Sequence, residues 1–357
     1  MRTILASASL LALCITSNVA AAQHGSVKTR PPIAVNSSYF ASLHSTPKHI
    51  FSGKISGATS AAVRAHDPRI VSLPNFTRSF TFGGQTFPYT MVGRDPAERK
   101  TTVVPTTYVP MSFFFDEFVD ANGNNIVIDA NSITGEIKHS PVFENSNYAT
   151  GFTQFEDAVM RAEFFPLFNK DGDNDANDKY HVLLSSPQTL IPVTIEVPVG
   201  SSVVAQLPDG TLIAEIDINF ISSQLNTLFQ TEGITVDSIP IFLTRNTVYG
   251  DFVNQQPVDC CIGGFHGAFE TKQVGNKVFV QTFAFTTALD SDAAAGIFGD
   301  AGVFADVNAL SHELGELLIH ETDLGTRILR LTFDVWHPVC VIGVNYGFRL
   351  HSVSLAR

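Results

Sequence analysis

The residues whose types and spacing could do chemistry are concentrated in "ALSHELGELLIHE", Ala309 to Glu321. His312, Glu313 and Glu316 fall close together on what should be one helix, with His320 a turn further on. Positions four apart on a helix are neighbours, so His312 and Glu316 can converge on one ion. Imidazole and carboxylate both ligate zinc, and a catalytic zinc takes three protein ligands and keeps one position for water. Glu313, adjacent to His312, is then placed as the general base that takes a proton from that water.

Such chemistry needs a helix anchored by another face. Val307, Leu310, Leu314, Leu317 and Leu318 supply an apolar stripe at helical spacing. At about 100° per residue, His312, Glu316 and His320 line a different face, with Glu313 beside them. This is the logic of a His-Glu-x-x-His metal helix, with Glu316 standing where the second His usually does. The plain alternative is a solvated, acid-rich helix face. The third ligand is open: His320, Glu321, Asp323 and His266 are the candidates.

Two other stretches could hold an ion. "NKDGDNDANDKYH" sets Asp171, Asp173 and Asp175 at alternate positions, as in a calcium loop. It lacks the Gly at the sixth position and the Glu at the twelfth that an EF-hand uses, so an acidic surface turn competes with calcium there. Asp120, Asn122 and Asn124 in "DANGNN" have similar spacing, but a hairpin with Asn122-Gly123 as its turn explains them without an ion. "DCCIGGFHGAF" places His266 on a tight Gly-rich loop, where a structural hydrogen bond is its ordinary role. The sequence has no Gly-x-Ser-x-Gly elbow, phosphate-binding Gly loop or dinucleotide fingerprint. A cysteine nucleophile at Cys260 or Cys261 with His266 is disfavoured by oxidation outside the cytoplasm.

That compartment is read from "MRTILASASLLALCITSNVAAAQ". Arg2, the apolar run Ile4 to Ile15 and the small residues Ala20-Ala21-Ala22 form the three parts of a secretory signal. The run is too short to span a bilayer, so the expected product is secreted or periplasmic with no membrane span. Cys14 leaves with the signal, stranding Cys260, Cys261 and Cys340. One disulfide and one free thiol is the natural count, with Cys260 or Cys261 bonded to Cys340 (Cys261–Cys340 being the pairing expected) in preference to a vicinal bridge. The formal net charge of -12 argues against nucleic acid as a partner, because no basic stripe can neutralise phosphates.

The 357 residues contain 29 Phe and only 16% charged residues, a composition that builds a large core. Residues 1–22 read as the signal and 23–65 as a flexible arm rich in Ser, Thr, Pro and Lys. A strand-rich region spans 66–200, with "RSFTFGGQTFPYTMVG", "TTYVPMSFFFDEFV" and "LIPVTIEVPVG" as strands. Within it, "TGFTQFEDAVMRAEFFPLF" predicts a helix, with Thr153 and Glu156 at capping-box spacing and Pro166 as its stop. "DINFISSQLNTLFQTEG" predicts a second helix, followed by strands in "SIPIFLTRN" and "NKVFVQTFAFTT". Strands and helices alternate irregularly, which predicts an α+β fold.

The loop, strand and helix together resemble a family of secreted bacterial proteins with a Cys-x-Gly-[Phe/Tyr]-His-Gly loop, a strand and a His-Glu-x-x-Glu helix. Wider relatives of that family look like the phosphate-induced (exordium-like) cell-wall proteins of plants. The matching residues are Cys261, Gly263 or Gly264, Phe265, His266, Gly267, Ser311, His312, Glu313 and Glu316. "TQFEDAVMRAEFF" and "IPIFLTRN" are also similar to the bacterial set, so the resemblance covers most of Phe76 to Leu318. It implies a zincin-like mixed α/β region at 201–320 and a zinc cofactor. The activity expected of the metal helix is hydrolysis of protein or peptide substrates by metal-activated water; a non-catalytic surface or matrix protein retaining the fold is the alternative. Residues 321–357 depart from the pattern. Thr322-Asp323 is not followed by Pro, and after Asp323 the only acid is Asp334, against Arg327, Arg330, Arg349 and Arg357. The tail from about Ile319 is expected to be divergent, truncated or frame-shifted.

Overall fold

The computed structural model describes residues 70–82, 84–120, 122–165, 179–231, 234–299 and 304–319. The signal, the arm, the acidic stretch Asp171–Asp175, and the tail with His320, Glu321, Asp323 and Cys340 lie outside them.

Eight strands form one mixed sheet: β1 (Ile70–Val71), β2 (Thr106–Val119), β3 (Asn125–Asp129), β4 (Gln188–Thr189), β5 (Val193–Val197), β6 (Ile239–Arg245), β7 (Gly264–Val274) and β8 (Lys277–Ala288). Its spine runs β1-β8-β6-β2-β4, all neighbours parallel. Strand β5 adds to β2 in parallel, while β3 and β7 pair antiparallel with β2 and β8. The expected boundary at residue 200 therefore falls inside one sheet, since β1 to β5 precede it and β6 to β8 follow. The fold is α+β, as the irregular alternation predicts.

Among the described residues, the helices of eight or more residues are α1 (Phe155–Glu163), α2 (Ile218–Thr231), α3 (Ser291–Phe298) and α4 (Asn308–Ile319), and α1, α2 and α4 pack on this sheet. Successive side chains of a strand point to opposite faces, so β6 and β8 feed two cores. Ile241, Leu243 and Ala284 pack with Met160 of α1 and with Leu310, Leu314 and Leu317 of α4. Phe242, Phe283 and Phe285 pack on the other side with Ile221, Leu225 and Leu228 of α2. Covered on both faces, the central strands read as continuous apolar runs, which is why "TTYVPMSFFF" and "QTFAFTTA" lack alternation. A smaller sheet of Ser202–Gln206, Leu212–Asp217 and Thr247–Gly250 carries α3 over Leu207, Ile213 and Val248.

Three sequence expectations change here. Helix α1 is not closed by a Thr153–Glu156 box: Gln154 is its N-cap, the Thr153 hydroxyl donates to Asp157 Oδ2 at 2.6 Å, and Glu156 is buried. His266 sits on a strand, not a tight loop, opposite Ala284 of β8. Cys261 is joined to its neighbour Cys260 by a disulfide instead of to Cys340, which lies outside the described residues. The hairpin at Asp120 forms as expected, with Oδ1 accepting the backbone N–H groups of Asn122 and Asn124, each at 2.8 Å. Among the described residues no helix is long and apolar enough to cross a membrane.

Candidate metal centre

Helix α4 carries three of the four residues of interest. Its stripe of Val307, Leu310, Leu314, Leu317 and Leu318 is buried, and this fixes the roll of the helix. The same roll leaves His312 and Glu316 half-buried, with side chains 35% and 33% exposed, one helical turn apart. Their facing atoms, His312 Nε2 and Glu316 Oε1, are 3.4 Å apart. Glu313 turns inward beneath β7 and is completely buried.

The fourth residue arrives from the sheet. Antiparallel pairing of β7 with β8 places Phe265 and His266 opposite Phe285 and Ala284. Phe265 stacks on Phe285 at 4.6 Å between ring centroids and belongs to the core on the α2 side. Alternation then sends His266 to the α4 side. His266 Nδ1 lies 2.8 Å from Glu313 Oε2 and 4.0 Å from Glu316 Oε2. Single ligand atoms of His266, Glu313 and Glu316 all fall within 4.8 Å of one another, and His312 joins the group through Glu316.

Gly264 makes the approach of strand to helix possible. A Cβ there would stand 2.8 Å from Glu313 Cγ and 2.9 Å from the Phe285 carbonyl oxygen, inside van der Waals contact. Gly315 plays a similar part on another side of α4, where a Cβ would meet Glu156 Oε2 at 3.1 Å.

Burial controls the charges. It pushes the Glu313 carboxyl well above its ordinary range, and the neighbouring Glu316 carboxylate adds to the rise. Burial lowers His266, partly opposed by Glu316, and lowers His312 to about 4 with a contribution from His266. These directions describe Glu313 as a neutral carboxylic acid donating to Nδ1 of a neutral His266 imidazole. Its second oxygen, Oε1, is buried with no hydrogen-bond partner among the described residues. Leaving a buried acceptor unsatisfied costs about 1–3 kcal/mol, and a cation or a water proton would satisfy it. Two imidazoles and two carboxylates in this arrangement form a donor set suited to zinc.

Of the expected ligands, His312 and Glu316 are together as the spacing requires. His320 lies outside the described residues, and His266, another of the candidates, is the one set beside Glu313 and Glu316. Sequence reasoning did not find the buried polar layer under α1. Asp157 Oδ1 accepts from Val182 N at 2.7 Å, and Oδ2 is 2.7 Å from His181 Nδ1. Glu156, also buried, keeps Oε1 without a hydrogen-bond partner among the described residues, and burial raises its carboxyl well above the usual range. The signal available was "FED" on a helix whose apolar face alone does not account for it.

No protein-family model, curated protein or solved structure matches this chain.

Proposed function

We propose that this chain is a secreted zinc-dependent hydrolase of the metallopeptidase type, acting on protein or peptide substrates. The observation that carries the reading is the meeting of His266 with the α4 residues, which sets ligand atoms of His266, Glu313 and Glu316 within 4.8 Å of one another, with His312 Nε2 3.4 Å from Glu316. His266, His312 and Glu316 would hold the ion. Zinc supplies Lewis acidity there, polarising a carbonyl and acidifying water.

The remaining steps belong to the chain. Glu313 accepts the proton of an attacking water at its unpartnered Oε1 and passes it to the departing amine. To accept a proton it must be ionised, and positive charge beside it favours that form. His266 Nδ1 hydrogen-bonds the other oxygen and fixes the orientation of the carboxyl. Gly264 holds the strand close enough for that bond.

A second reading, a non-catalytic secreted surface or matrix protein with a structural ion, draws on the complete burial of Glu313. Casein hydrolysis by the zinc-loaded wild type and by Glu313→Gln separates the two. The metallopeptidase reading expects turnover by the wild type and a loss of about 10²- to 10⁴-fold in the variant, with zinc retained. Equal rates in the two proteins, or no turnover in either, would leave the structural role standing.

A further inference from the structure

We propose that the Cys260–Cys261 bridge is a site of thiol–disulfide exchange with a dithiol, and that opening it loosens the strand that carries His266. The consequence for the metal rests on the zinc reading; the loosening of the strand does not.

Position in the chain is the first observation. Cys260 and Cys261 are joined by a disulfide, and only residues 262–265 separate the bridge from His266. Ile262 exchanges two backbone hydrogen bonds with Tyr249, at 2.8 and 2.9 Å, and Thr287 N donates to the Gly263 carbonyl at 2.9 Å. Strand β7 then begins at Gly264, the residue whose Cβ would stand 2.8 Å from Glu313 Cγ. A shift of the backbone there acts on the 2.8 Å bond between His266 Nδ1 and Glu313 Oε2.

Packing is the second. Before the bridge, Cys260 N donates to Asp259 Oδ1 at 3.0 Å, and a Cβ on Gly250 would overlap the Asp259 carbonyl oxygen. After it comes the pairing of Ile262 with Tyr249. Cys261 is buried with Val248, Leu289 and Ala293, and Cys260 is partly buried against the same cluster. Two separate thiols need more room than one bonded pair of sulfurs, and a close-packed interior has little to give. Opening the ring also returns backbone freedom to both residues. The Gly263-Gly264 pair has no side chains to anchor it, so the displacement passes into the start of β7.

Access decides which sulfur reacts. Cys260 is the less buried of the two, so one thiolate of the dithiol attacks Cys260 Sγ. The Sγ–Sγ bond breaks, and Cys261 leaves as a thiolate that takes up a proton. The second thiol of the reductant then attacks the reductant's own sulfur in the mixed disulfide and closes it to a cyclic disulfide. Cys260 leaves as a thiolate and is protonated in turn, so two electrons and two protons have passed to the cystine. In the oxidising compartment expected for this chain the closed bridge is the resting form.

Dithiothreitol acting on the metal-free, full mature chain without denaturant tests the proposal. Alkylation and mass spectrometry of one aliquot should find Cys260 and Cys261 both labelled. In another, amide exchange over residues 262–268 should quicken at least about tenfold, with α2 staying within about twofold of untreated protein. Cys340→Ala should respond as the wild type does. Cys260→Ala combined with Cys261→Ala should exchange quickly with or without dithiol; if that variant melts abnormally, the wild-type comparison decides alone. With the dithiol removed under nitrogen, the zinc dissociation constant should have risen at least about tenfold. A bridge that opens only in urea, exchange over 262–268 that is unchanged once it opens, or a response lost in Cys340→Ala overturns the proposal. No zinc binding by the oxidised protein, or equal binding by both forms beside faster exchange, counts against the zinc reading and leaves the strand result standing.

Discussion

His266 Nδ1 and Glu313 Oε2 lie 2.8 Å apart although 47 residues separate them in the chain. The sheet register and the roll of one helix, set independently, meet at that bond. Zinc content is therefore predicted to depend on both. Wild-type protein should carry about one zinc per chain by elemental analysis, and His312→Ala and His266→Ala should each weaken zinc by at least about 100-fold. Retention of wild-type affinity in His266→Ala would remove the strand from the ligand set.

Protons compete for the same imidazoles. His312 is held down to about 4 by burial, so its ring stays neutral and able to ligate through mildly acidic pH. The His312 contribution to zinc affinity should fall only as the pH approaches 4, where that ring takes up its proton, and His266, also lowered by burial, shifts the loss in the same direction. Isothermal titration across that range measures it. A loss centred near 6.5, the ordinary histidine range, would contradict the burial argument.

Gly264→Ala is expected to destabilise the fold by about 1–3 kcal/mol, because its methyl would overlap Glu313 and the Phe285 carbonyl. Urea denaturation gives the value. Gly84→Ala is a control for lost glycine, since nothing lies within 4 Å of its Cβ position but φ is +78 there. The Gly264 variant should also lose zinc, whereas the Gly84 variant should keep it.

Glu156 predicts a pH dependence of stability. Burial raises its folded-state pKa above the ordinary 4.5, so the folded chain holds a proton that the unfolded chain has released. That contribution is complete below the unfolded pKa and declines as the pH rises through the folded one. Glu156→Gln has no such titration, so its advantage over wild type should widen from about pH 5 to about pH 8 in metal-free urea titrations. A gap independent of pH would mean that Glu156 is ionised in the folded state.

The cysteine pairing predicts a simple alkylation pattern. Mature, unreduced, denatured protein should label at Cys340 alone, and the peptide holding Cys260 and Cys261 should be lighter by two hydrogens until reduced. Mass spectrometry reads both. Label on Cys260 with Cys340 protected would restore the Cys261–Cys340 pairing.

Much of the framework was legible because its physics is local. The stripe from Val307 to Leu318 marked α4 and its buried face, and "SIPIFLTRN" and "NKVFVQTFAFTT" marked β6 and β8. The two candidate ligands four residues apart, His312 and Glu316, came with the helix. His266 did not, because its place depends on pairing of β7 with β8, and a slip of one residue would have pointed it to the opposite core. "CCIGGFHG" also carries the glycines of a loop, and only the close approach of Gly264 to Glu313 explains one of them in a strand. The Thr153–Glu156 box failed for a related reason. A helix packed between a sheet-side strand and α4 has little wet face, so acids that normally cap and solvate are drawn inside.

Strand β7 has one sheet neighbour among the described residues, whereas α4 is wedged between the sheet and α1. Edge strands expose a row of backbone groups and yield at lower free energy than the interior they border. The four side chains thus ride on mounts of unequal stiffness: Glu313, Glu316 and His312 move as one body with the helix, and His266 moves with the rim. Slow amide exchange through α4 and β8, beside faster exchange on β7, would be the signature of a cluster that one partner can leave while three remain in formation.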